Sequence, residues 1–296
     1  MTGAPLLPTL AQLTDTLPPH PRTRFAPSPT GYLHLGHVVN ALYVWSIARA
    51  LGGRVLLRIE DHDATRCRSE FERAIHEDLA WLGLTPDEST PRQSDSGPVY
   101  SAALARLAGS YKVYACDCSR RTLAQEVEDV FGEETRYPGR CRDRDLPPGS
   151  GRGMRIAMAP GVETFVDAWL GPQSQEPALQ CGDLLVRDRL GNWTYQLAVT
   201  VDDGRQGIDL VIRGEDLLQS TGRQIRLARM LGRAQPPVFL HHPLIRKPGG
   251  DKLGKASHDT GLRELRAGGA TPASVLHEAA ARGALPLELL DFISAT

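Results

Sequence analysis

Residues 22–60 read RTRFAPSPTGYLHLGHVVNALYVWSIARALGGRVLLRIE, and this stretch decides the fold. Arg22 to Phe25 predicts a short strand, which the prolines and the glycine after it break sharply. From Leu35 to Leu51 the apolar residues fall largely on one helical face, and Gly52-Gly53 ends the predicted helix. Arg54 to Glu60 is a second, buried strand. This order of strand, loop, helix and strand opens a parallel, doubly wound α/β sheet.

Further helices and strands follow around a central region of poor periodicity. Helices are predicted at 69–82, with Ser69 as N-cap, and at 99–107, 221–231 and 273–282. Buried strands or strand-helix junctions are predicted at 193–201 and 210–213. The central region, which holds three cysteines and ends in Pro147-Pro148-Gly149-Ser150-Gly151, predicts an insertion between two halves of the sheet.

Composition and charge restrict the possible functions. The 296 residues carry a formal net charge of −1, so any nucleic acid must be held by a local patch of the surface. No apolar run approaches the ~20 residues of a membrane span. Met1 to His20 lacks the basic and then apolar pattern of a secretion signal. We expect a cytoplasmic protein that contacts no membrane.

Two histidines stand at the start of the first predicted helix. His34 and His37 are three residues apart, so both side chains can point towards the helix N-terminus, which attracts phosphate. Gly31 and Gly36 let the backbone approach a nucleotide closely. We expect the histidines to bind phosphate there and to stabilise negative charge that develops on it. The alternative is a pair of surface histidines that only cap the helix.

Lysine is rare in this chain and concentrated near its end. Three of its four lysines are Lys247, Lys252 and Lys255. An ammonium on a flexible stem can follow a moving phosphate better than a rigid guanidinium. We therefore expect Lys252 and Lys255 to follow and neutralise a moving phosphate, and the alternative is a solvated loop.

These two regions resemble the paired HIGH and KMSKS signatures of class I aminoacyl-tRNA synthetases. The segments concerned are PSPTGYLHLGH at 27–37 and KLGK at 252–255. A closer resemblance, covering about residues 22–257, is to the glutamate branch of that class. It is carried by RFAPSPTG at 24–31, RIEDHD at 58–63, GNWTYQLAVTVDD at 191–203 and VIRGEDL at 211–217.

The resemblance implies ATP-dependent activation of L-glutamate with Mg²⁺. It places His34, Gly36, His37 and Lys255 at the ATP, with His34, His37, Lys252 and Lys255 as catalytic residues, and it lines the amino-acid site with Arg24, Ala26, Ser28, Glu60, Tyr195 and Arg213. The chemistry agrees, because glutamate carries two carboxylates and one ammonium. Arg24 and Arg213 supply the positive partners and Glu60 the negative one. The alternative for Glu60 and Arg213 is a buried structural ion pair.

The cysteines of the central region predict a metal site. Cys116, Cys118 and Cys141 are three closely spaced thiols, which favour a soft tetrahedral ion such as Zn²⁺. Tyr137, Asp117 or water must complete the shell, and the alternative is three free cysteines. The arrangement resembles the zinc knuckle of glutamyl-Q tRNA(Asp) synthetases, which implies that Tyr137 is the fourth ligand.

The same family provides the predicted domain organisation. We expect a flexible extension (1–21), the first half of a Rossmann-type catalytic domain (22–115), a zinc-knuckle insertion (116–153), the second half (154–245), and a KMSKS-like loop with a short helical C-terminus of about two helices (246–296). No anticodon-binding domain is expected after the loop. The protein is expected to be a monomer.

This resemblance also implies an RNA substrate. The family transfers glutamate to queuosine at the wobble position of tRNA(Asp), and it holds the anticodon stem-loop as its larger relatives hold an acceptor stem. Two alternatives are a short glutamyl-tRNA synthetase that charges a tRNA 3′ end and a noncatalytic RNA-binding module. The sequence departs from the pattern at Val199, where many glutamyl enzymes have Asn, and at Gly254, where the loop usually has Ser.

Overall fold

The computed structural model describes residues 10–119, 121–123, 130–131, 134–245 and 261–294. Its strands are β1 (Arg22–Phe25), β2 (Arg54–Leu57), β3 (Glu88–Ser89), β4 (Val113–Cys116), β5 (Val130–Phe131), β6 (Glu134–Thr135), β7 (Gly153–Ile156), β8 (Glu163–Asp167), β9 (Gly171–Gln175), β10 (Leu184–Arg187), β11 (Leu210–Gly214) and β12 (Val238–His242). Its α-helices are α1 (Leu10–Thr16), α2 (Leu35–Ala50), α3 (Ser69–Trp81), α4 (Gly97–Ser110), α5 (Pro177–Gln180), α6 (Tyr195–Arg205), α7 (Thr221–Met230), α8 (Leu262–Ala267), α9 (Pro272–Arg282) and α10 (Asp291–Ser294).

Parallel strands form the centre of the fold. β1 pairs with β2 and β2 with β3, while β11 pairs with β12 and β12 with β8, all in parallel. The two groups meet where the backbone N–H of Asp209 donates to the carbonyl of Arg22 over 3.1 Å. The order β3-β2-β1-β11-β12-β8 has its switch point between β1 and β11, where open α/β sheets bind their ligands. The predicted α/β fold with a parallel sheet is confirmed.

Helix α2 packs most of its surface into the core. Leu42, Val44 and Ala48 are fully buried, and the hydroxyl of Tyr43 donates to the carbonyl of Gly283, just after α9, over 2.8 Å. The helix ends where Gly52 adopts φ +64°, as the sequence predicts. Among the described residues, no helix has both the length and the apolar character needed to cross a bilayer.

Strand β2 is shorter than predicted, because it ends at Leu57 and not at Glu60. Arg58 and Glu60 still donate backbone N–H groups to the carbonyls of Phe25 and Pro27. Proline has no N–H to donate in return, so the ladder continues on one side only. The segment that carries Glu60 therefore leaves the regular strand close to the switch point.

A separate antiparallel sheet lies between the two parallel groups in sequence. β7 is the central strand, and it pairs antiparallel with β4 on one side and with β10 on the other. The predicted division at 153/154 falls inside this sheet, since the hydrogen-bond ladder joins Val113–Cys116 to Gly153–Ile156. The insertion therefore includes strands on both sides of the cysteine region. β8 and β9 lie between β7 and β10 in the chain, but they are part of the sheet that contains β11 and β12.

The segment 193–201 is a strand-helix junction, one of its two predicted forms: Trp193 forms a β-bridge with Arg187, and α6 begins at Tyr195 with one face of its apolar run in the core formed with α4 and α7. Two further expectations need correction. Residues 10–21 are not a flexible extension, since Leu13 and Leu17 are buried in the main core. The part of the chain described after residue 260 contains three short α-helices, α8 to α10, where two were expected. The other helices lie where predicted, with small differences in their bounds, although Arg68 and not Ser69 is the N-cap of α3.

Candidate active site

The two histidines of the first motif form the N-terminal cap of α2. Nδ1 of His34 accepts the backbone N–H of Gly36 over 3.1 Å, and Nδ1 of His37 accepts the backbone N–H of His34 over 3.1 Å. The ring centroids are 3.9 Å apart. Because each Nδ1 uses its lone pair to accept, a neutral ring carries its proton on Nε2. The cap therefore fixes both histidines as Nε2–H donors at a helix N-terminus.

The second motif lies outside the described residues, and so do Lys247, Lys252, Gly254 and Lys255. Both flanks of this segment are attached to the first motif or its helix. On one side His242, the last residue of β12, stacks on Tyr43 of α2 with ring centroids 4.7 Å apart. On the other side Leu262 donates its backbone N–H to the carbonyl of Leu33 over 2.8 Å. The described chain on the two sides of this segment is therefore attached to α2 and to the residue before His34.

Arg213 is a buried guanidinium held entirely by neutral groups. Its Nε donates to Nε2 of His241 over 3.0 Å, and its two terminal nitrogens donate to Tyr195, Gln224 and Thr221 over 3.4, 2.7 and 2.9 Å. No carboxylate of the described chain lies within salt-bridge distance of it. A buried cation without an anionic partner destabilises the folded protein, so an anionic ligand would be stabilised at this position.

A second arginine lies next to Arg213. Arg24 is buried and donates from Nε to Asp203 over 3.1 Å and from Nη1 to the carbonyl of Ile212 over 3.3 Å. In the described part of the chain no acceptor is within hydrogen-bond distance of its Nη2. Burial would raise the pKa of Asp203, but the charges of Arg24 and Arg58 hold that pKa below its ordinary value.

Glu60 is buried and pairs with Arg58, not with Arg213. Nε and Nη2 of Arg58 both donate to Oε1 of Glu60, over 3.3 and 3.0 Å. The alternative of a Glu60–Arg213 ion pair is therefore wrong. Among the residues described, no donor lies within hydrogen-bond distance of Oε2 of Glu60. Oε2 can therefore accept a hydrogen bond from a ligand ammonium while Oε1 keeps the ion pair with Arg58 that positions the carboxylate.

The remaining residues predicted for the amino-acid site are on the loop after β1 and on α6. Ala26 and Ser28 are half-buried on that loop, and Oγ of Ser28 is 3.9 Å from Sγ of Cys67. Tyr195 is the first residue of α6, where burial raises the pKa of its phenol and its oxygen accepts from Arg213. Val199, one turn further along α6, is fully buried and offers no polar atom to a ligand.

Sequence reasoning missed the groups that hold these side chains in place. Asp203 and Arg58 connect Arg24 to Glu60, while His241 is hydrogen-bonded from Nδ1 to Oδ2 of Asp167 over 2.6 Å. Burial lowers the pKa of His241 and the charge of Arg213 lowers it further, which keeps the imidazole neutral as an acceptor. Arg58 and Asp203 belong to the stretches 58–63 and 191–203 that carry the resemblance, and this was the available sequence signal, but nothing in the local pattern indicates which side chains they contact.

The three cysteines come together at the end of β4, with Cys116 on the strand and Cys118 and Cys141 in the segments that follow it. The sulfur atoms of Cys116, Cys118 and Cys141 all lie within 4.8 Å of one another, and those of Cys118 and Cys141 are 3.6 Å apart. Tyr137 is buried beside them, with Oη 3.5 Å from Sγ of Cys116. A tetrahedral ion with bonds of about 2.3 Å to sulfur and about 2.0 Å to oxygen separates its ligands by roughly 3.5–3.8 Å. The donor set fits such an ion.

Other groups around the thiols affect which residue can be the fourth ligand of a metal ion. Burial would raise the pKa of Cys116, but hydrogen bonds from Tyr137 and Arg155 lower it below its ordinary value. Asp117 reaches Cys141 at 3.2 Å and is also paired with Arg144 on the surface. Tyr137 is held more tightly, since Oη also accepts the backbone N–H of Cys141 over 2.8 Å.

Fold and site together define a class of enzyme domain. A parallel sheet with histidines at a helix N-terminus beside its switch point is the arrangement of a class I tRNA synthetase. The family model for tRNA synthetases class I (E and Q), catalytic domain, matches residues 21–296, and the chain belongs to that family. The resemblance inferred from the motifs is confirmed.

Comparison with individual proteins shows which members of this family the chain resembles. A Burkholderia cenocepacia protein named Glutamyl-Q tRNA(Asp) synthetase is 42% identical over 276 residues, which are 91% of this chain and 92% of that protein. A Rhodobacter capsulatus protein of the same name is 39% identical over 271 residues, 86% of this chain and 97% of that protein. The crystal structure of a glutamate tRNA ligase from Elizabethkingia meningosepticum, in complex with its amino acid, superposes with a TM-score of 0.69 at 33% identity. The superposition covers 81% of this chain and 53% of the ligase. This chain therefore spans about half the length of the ligase.

Proposed function

We propose that this protein activates L-glutamate with ATP and Mg²⁺ and transfers the glutamyl group to queuosine at the wobble position of tRNA(Asp). The names of the curated relatives support the RNA substrate. The observation that carries the choice of amino acid is the buried Arg213, which has four neutral partners and no carboxylate among the described residues. A substrate carboxylate would supply the missing charge.

Charge complementarity supports glutamate over other amino acids. Nη2 of Arg24 is available for the second carboxylate, and Oε2 of Glu60 for the ammonium. Two cationic positions and one anionic position match a substrate with two carboxylates and one ammonium. A neutral amide in place of the side-chain carboxylate would leave a buried guanidinium unpaired, and this would favour glutamate over glutamine.

The proposed first step needs no nucleophilic side chain. The α-carboxylate of glutamate attacks the α-phosphate of ATP in line, and pyrophosphate leaves. His34 and His37 would donate from Nε2 to the phosphate oxygens as charge develops there. Lys252 and Lys255 would neutralise the pyrophosphate, and Gly36 lets the backbone approach the nucleotide.

We propose one structural Zn²⁺ held by Cys116, Cys118, Cys141 and Tyr137. The distances between these donors support the assignment, and Tyr137 is favoured over Asp117 because Asp117 is only half-buried and is already paired with Arg144. Zinc at this place would fix the loop between β4 and β7. We also propose that the enzyme acts as a monomer in the cytoplasm, where tRNA and ATP are found.

Two measurements test the function. Glutamate-dependent exchange between ATP and pyrophosphate should occur without tRNA. Radioactive glutamate should then label an anticodon stem-loop of tRNA(Asp) that bears queuosine, while the same RNA with guanosine stays unlabelled because it has no cyclopentenediol hydroxyl. Absence of exchange with glutamate would contradict the proposal.

The similarity to the solved glutamate tRNA ligase favours one alternative, a short glutamyl-tRNA synthetase that charges a 3′ end. Label on the terminal adenosine of tRNA(Glu) would establish that reaction instead. Digestion of the labelled tRNA with a nuclease, followed by mapping of the radioactive fragment, separates the two outcomes. Lack of exchange together with RNA binding would favour a noncatalytic module.

A further inference from the structure

A cavity beside the cysteine cluster shares no lining residue with the glutamate site. It has a volume of about 690 Å³ and lies between the loop after Glu60 and the antiparallel sheet. Asp63 and Arg66 line one side, and Cys118, Arg155 and Leu185 are among the residues of the other. Its volume is within the roughly 300–1,000 Å³ of sites that enclose a small ligand.

The rim of this cavity carries an unusual exposed side chain. Leu190 is 77% exposed, which makes it the most exposed large apolar residue in the described chain. It lies at the tip of a tight loop whose backbone is fixed by Asp188, since Oδ1 of Asp188 accepts the N–H groups of Leu190 and Asn192, each over 2.8 Å. A rigid loop that presents leucine to solvent beside a cavity has the character of a contact surface.

The charges around Leu190 favour an anionic partner. Arg66 and Arg189 are exposed on opposite sides of the cavity. The two acidic residues of the lining are occupied within their own loops: Asp63 accepts from Thr65 and Arg66, and Asp188 accepts from Leu190 and Asn192. The charge of Arg66 is shared with Asp63, whereas Arg189 has no carboxylate within salt-bridge distance among the described residues. Only the Nε of each guanidinium is engaged there, with Oδ2 of Asp63 and with the carbonyl of Gly151, so the terminal nitrogens of both remain to bind phosphate.

The geometry points to this cavity as the site for an unstacked nucleotide of the RNA substrate, with Arg66 and Arg189 on the flanking phosphates and Leu190 against the neighbouring base. This inference rests on the proposed function and specifies its RNA contacts. Recognition of RNA loops generally uses bases that are splayed out of the stack and packed on side chains. The cavity, the apolar tip and the two arginines are the parts that such recognition needs.

The inference is tested with Leu190→Asp and with the double variant Arg66→Gln/Arg189→Gln. The matched controls are Leu287→Asp, since Leu287 is also an exposed leucine at 59%, and Arg282→Gln on the surface of α9. Glutamate-dependent ATP/pyrophosphate exchange and transfer to the queuosine-bearing stem-loop are measured for each. All four changes are on the surface, so circular dichroism should show unaltered folding.

We expect exchange at the wild-type rate in every variant and a KM for the stem-loop about tenfold higher in Leu190→Asp, the effect of removing one apolar side chain from an interface. The arginine variant should also show a smaller dependence of RNA binding on salt, by a slope of roughly 0.7 for each phosphate that the protein no longer neutralises. Wild-type transfer kinetics in both variants would overturn the inference, as would a change confined to the KM for ATP. Absence of exchange in the unmodified enzyme would instead refute the proposed function.

Discussion

Nε of Arg213 lies 3.0 Å from Nε2 of His241, and the imidazole can accept this hydrogen bond only while Nε2 is unprotonated. Nδ1 of His241 then carries the proton and donates to Oδ2 of Asp167 over 2.6 Å. Asp167 also accepts the backbone N–H groups of Trp169 and Leu170, which fixes the chain after β8. The orientation of Arg213 is thus determined by three strands of the parallel sheet.

Arg213→Gln should raise the KM and the dissociation constant for glutamate on the order of 10²-fold, because a substrate carboxylate loses a buried charged partner. Calorimetric titration with glutamate measures the effect, and Arg282→Gln on the exposed face of α9 is the matched control. Unchanged glutamate affinity would mean that the amino-acid site is not at Arg213.

Gly36→Ala should slow adenylate formation by roughly tenfold or more, since misplaced catalytic groups lose rate steeply. A Cβ at position 36 would be 3.0 Å from Cε1 and 3.1 Å from Nδ1 of His34, so the ring must move. Gly109→Ala in α4 is the control, because a Cβ there meets nothing within 4 Å. Both variants are compared in exchange assays at saturating ATP, and equal rates would argue against a role for the His34 orientation.

Lys255→Ala should reduce the rate of exchange on the order of 10²-fold while glutamate binding changes little, as expected for a contact that matters most when pyrophosphate departs. Lys255 is outside the described residues, so this remains a prediction from the motif. Lys112→Ala, at an exposed lysine paired with Asp143, should behave as wild type. Normal exchange in Lys255→Ala would exclude the loop from catalysis.

Purified protein should contain about one equivalent of zinc, and Cys118→Ser should lose it and impair RNA transfer more than exchange. Cys67→Ser, at a cysteine remote from the cluster in sequence, should retain the metal. Tyr137→Phe should weaken zinc binding more than Asp117→Asn if Tyr137 is the fourth ligand. Elemental analysis after purification without chelators measures the wild type and the four variants, and a metal-free wild type would contradict the site.

The free energy of unfolding should fall as the pH drops below about 6.5, the ordinary pKa of histidine. Burial lowers the pKa of His242 to about 4 in the folded protein, so the unfolded chain binds the proton more readily between these values. Stability is therefore complete above pH 6.5 and is lost progressively towards pH 4, by on the order of 3 kcal/mol for this group.

His242→Phe keeps an aromatic ring against Tyr43 and removes the titrating group. The difference in Tm between pH 7 and pH 5 should be smaller in this variant than in wild type, while His277→Gln at an exposed position of α9 should leave the difference unchanged. The same pH dependence in all three proteins would show that His242 does not contribute to it.

The sequence determined the fold class and the candidate motifs because these depend on local patterns. A helix that begins a few residues after Pro-Ser-Pro-Thr-Gly, with histidines three residues apart at its start, can be predicted from the sequence around residues 27–37, and the structure places both histidines in the cap of α2. The cysteine spacing similarly predicted a cluster that forms. Local spacing did not decide between a strand and a strand-helix junction at 193–201, since an apolar run of that length suits both.

Which buried charged side chains pair with each other depends on the tertiary structure. The partner of Glu60 is Arg58, two residues away, whereas Arg24 and Arg58 share Asp203, about 145 to 179 positions further along the chain. Arg213 is left without a carboxylate because β11 and β12 set His241 directly beside it. Pairing of buried charges depends on which strands become neighbours, and a sequence specifies that only through the packing of the whole sheet.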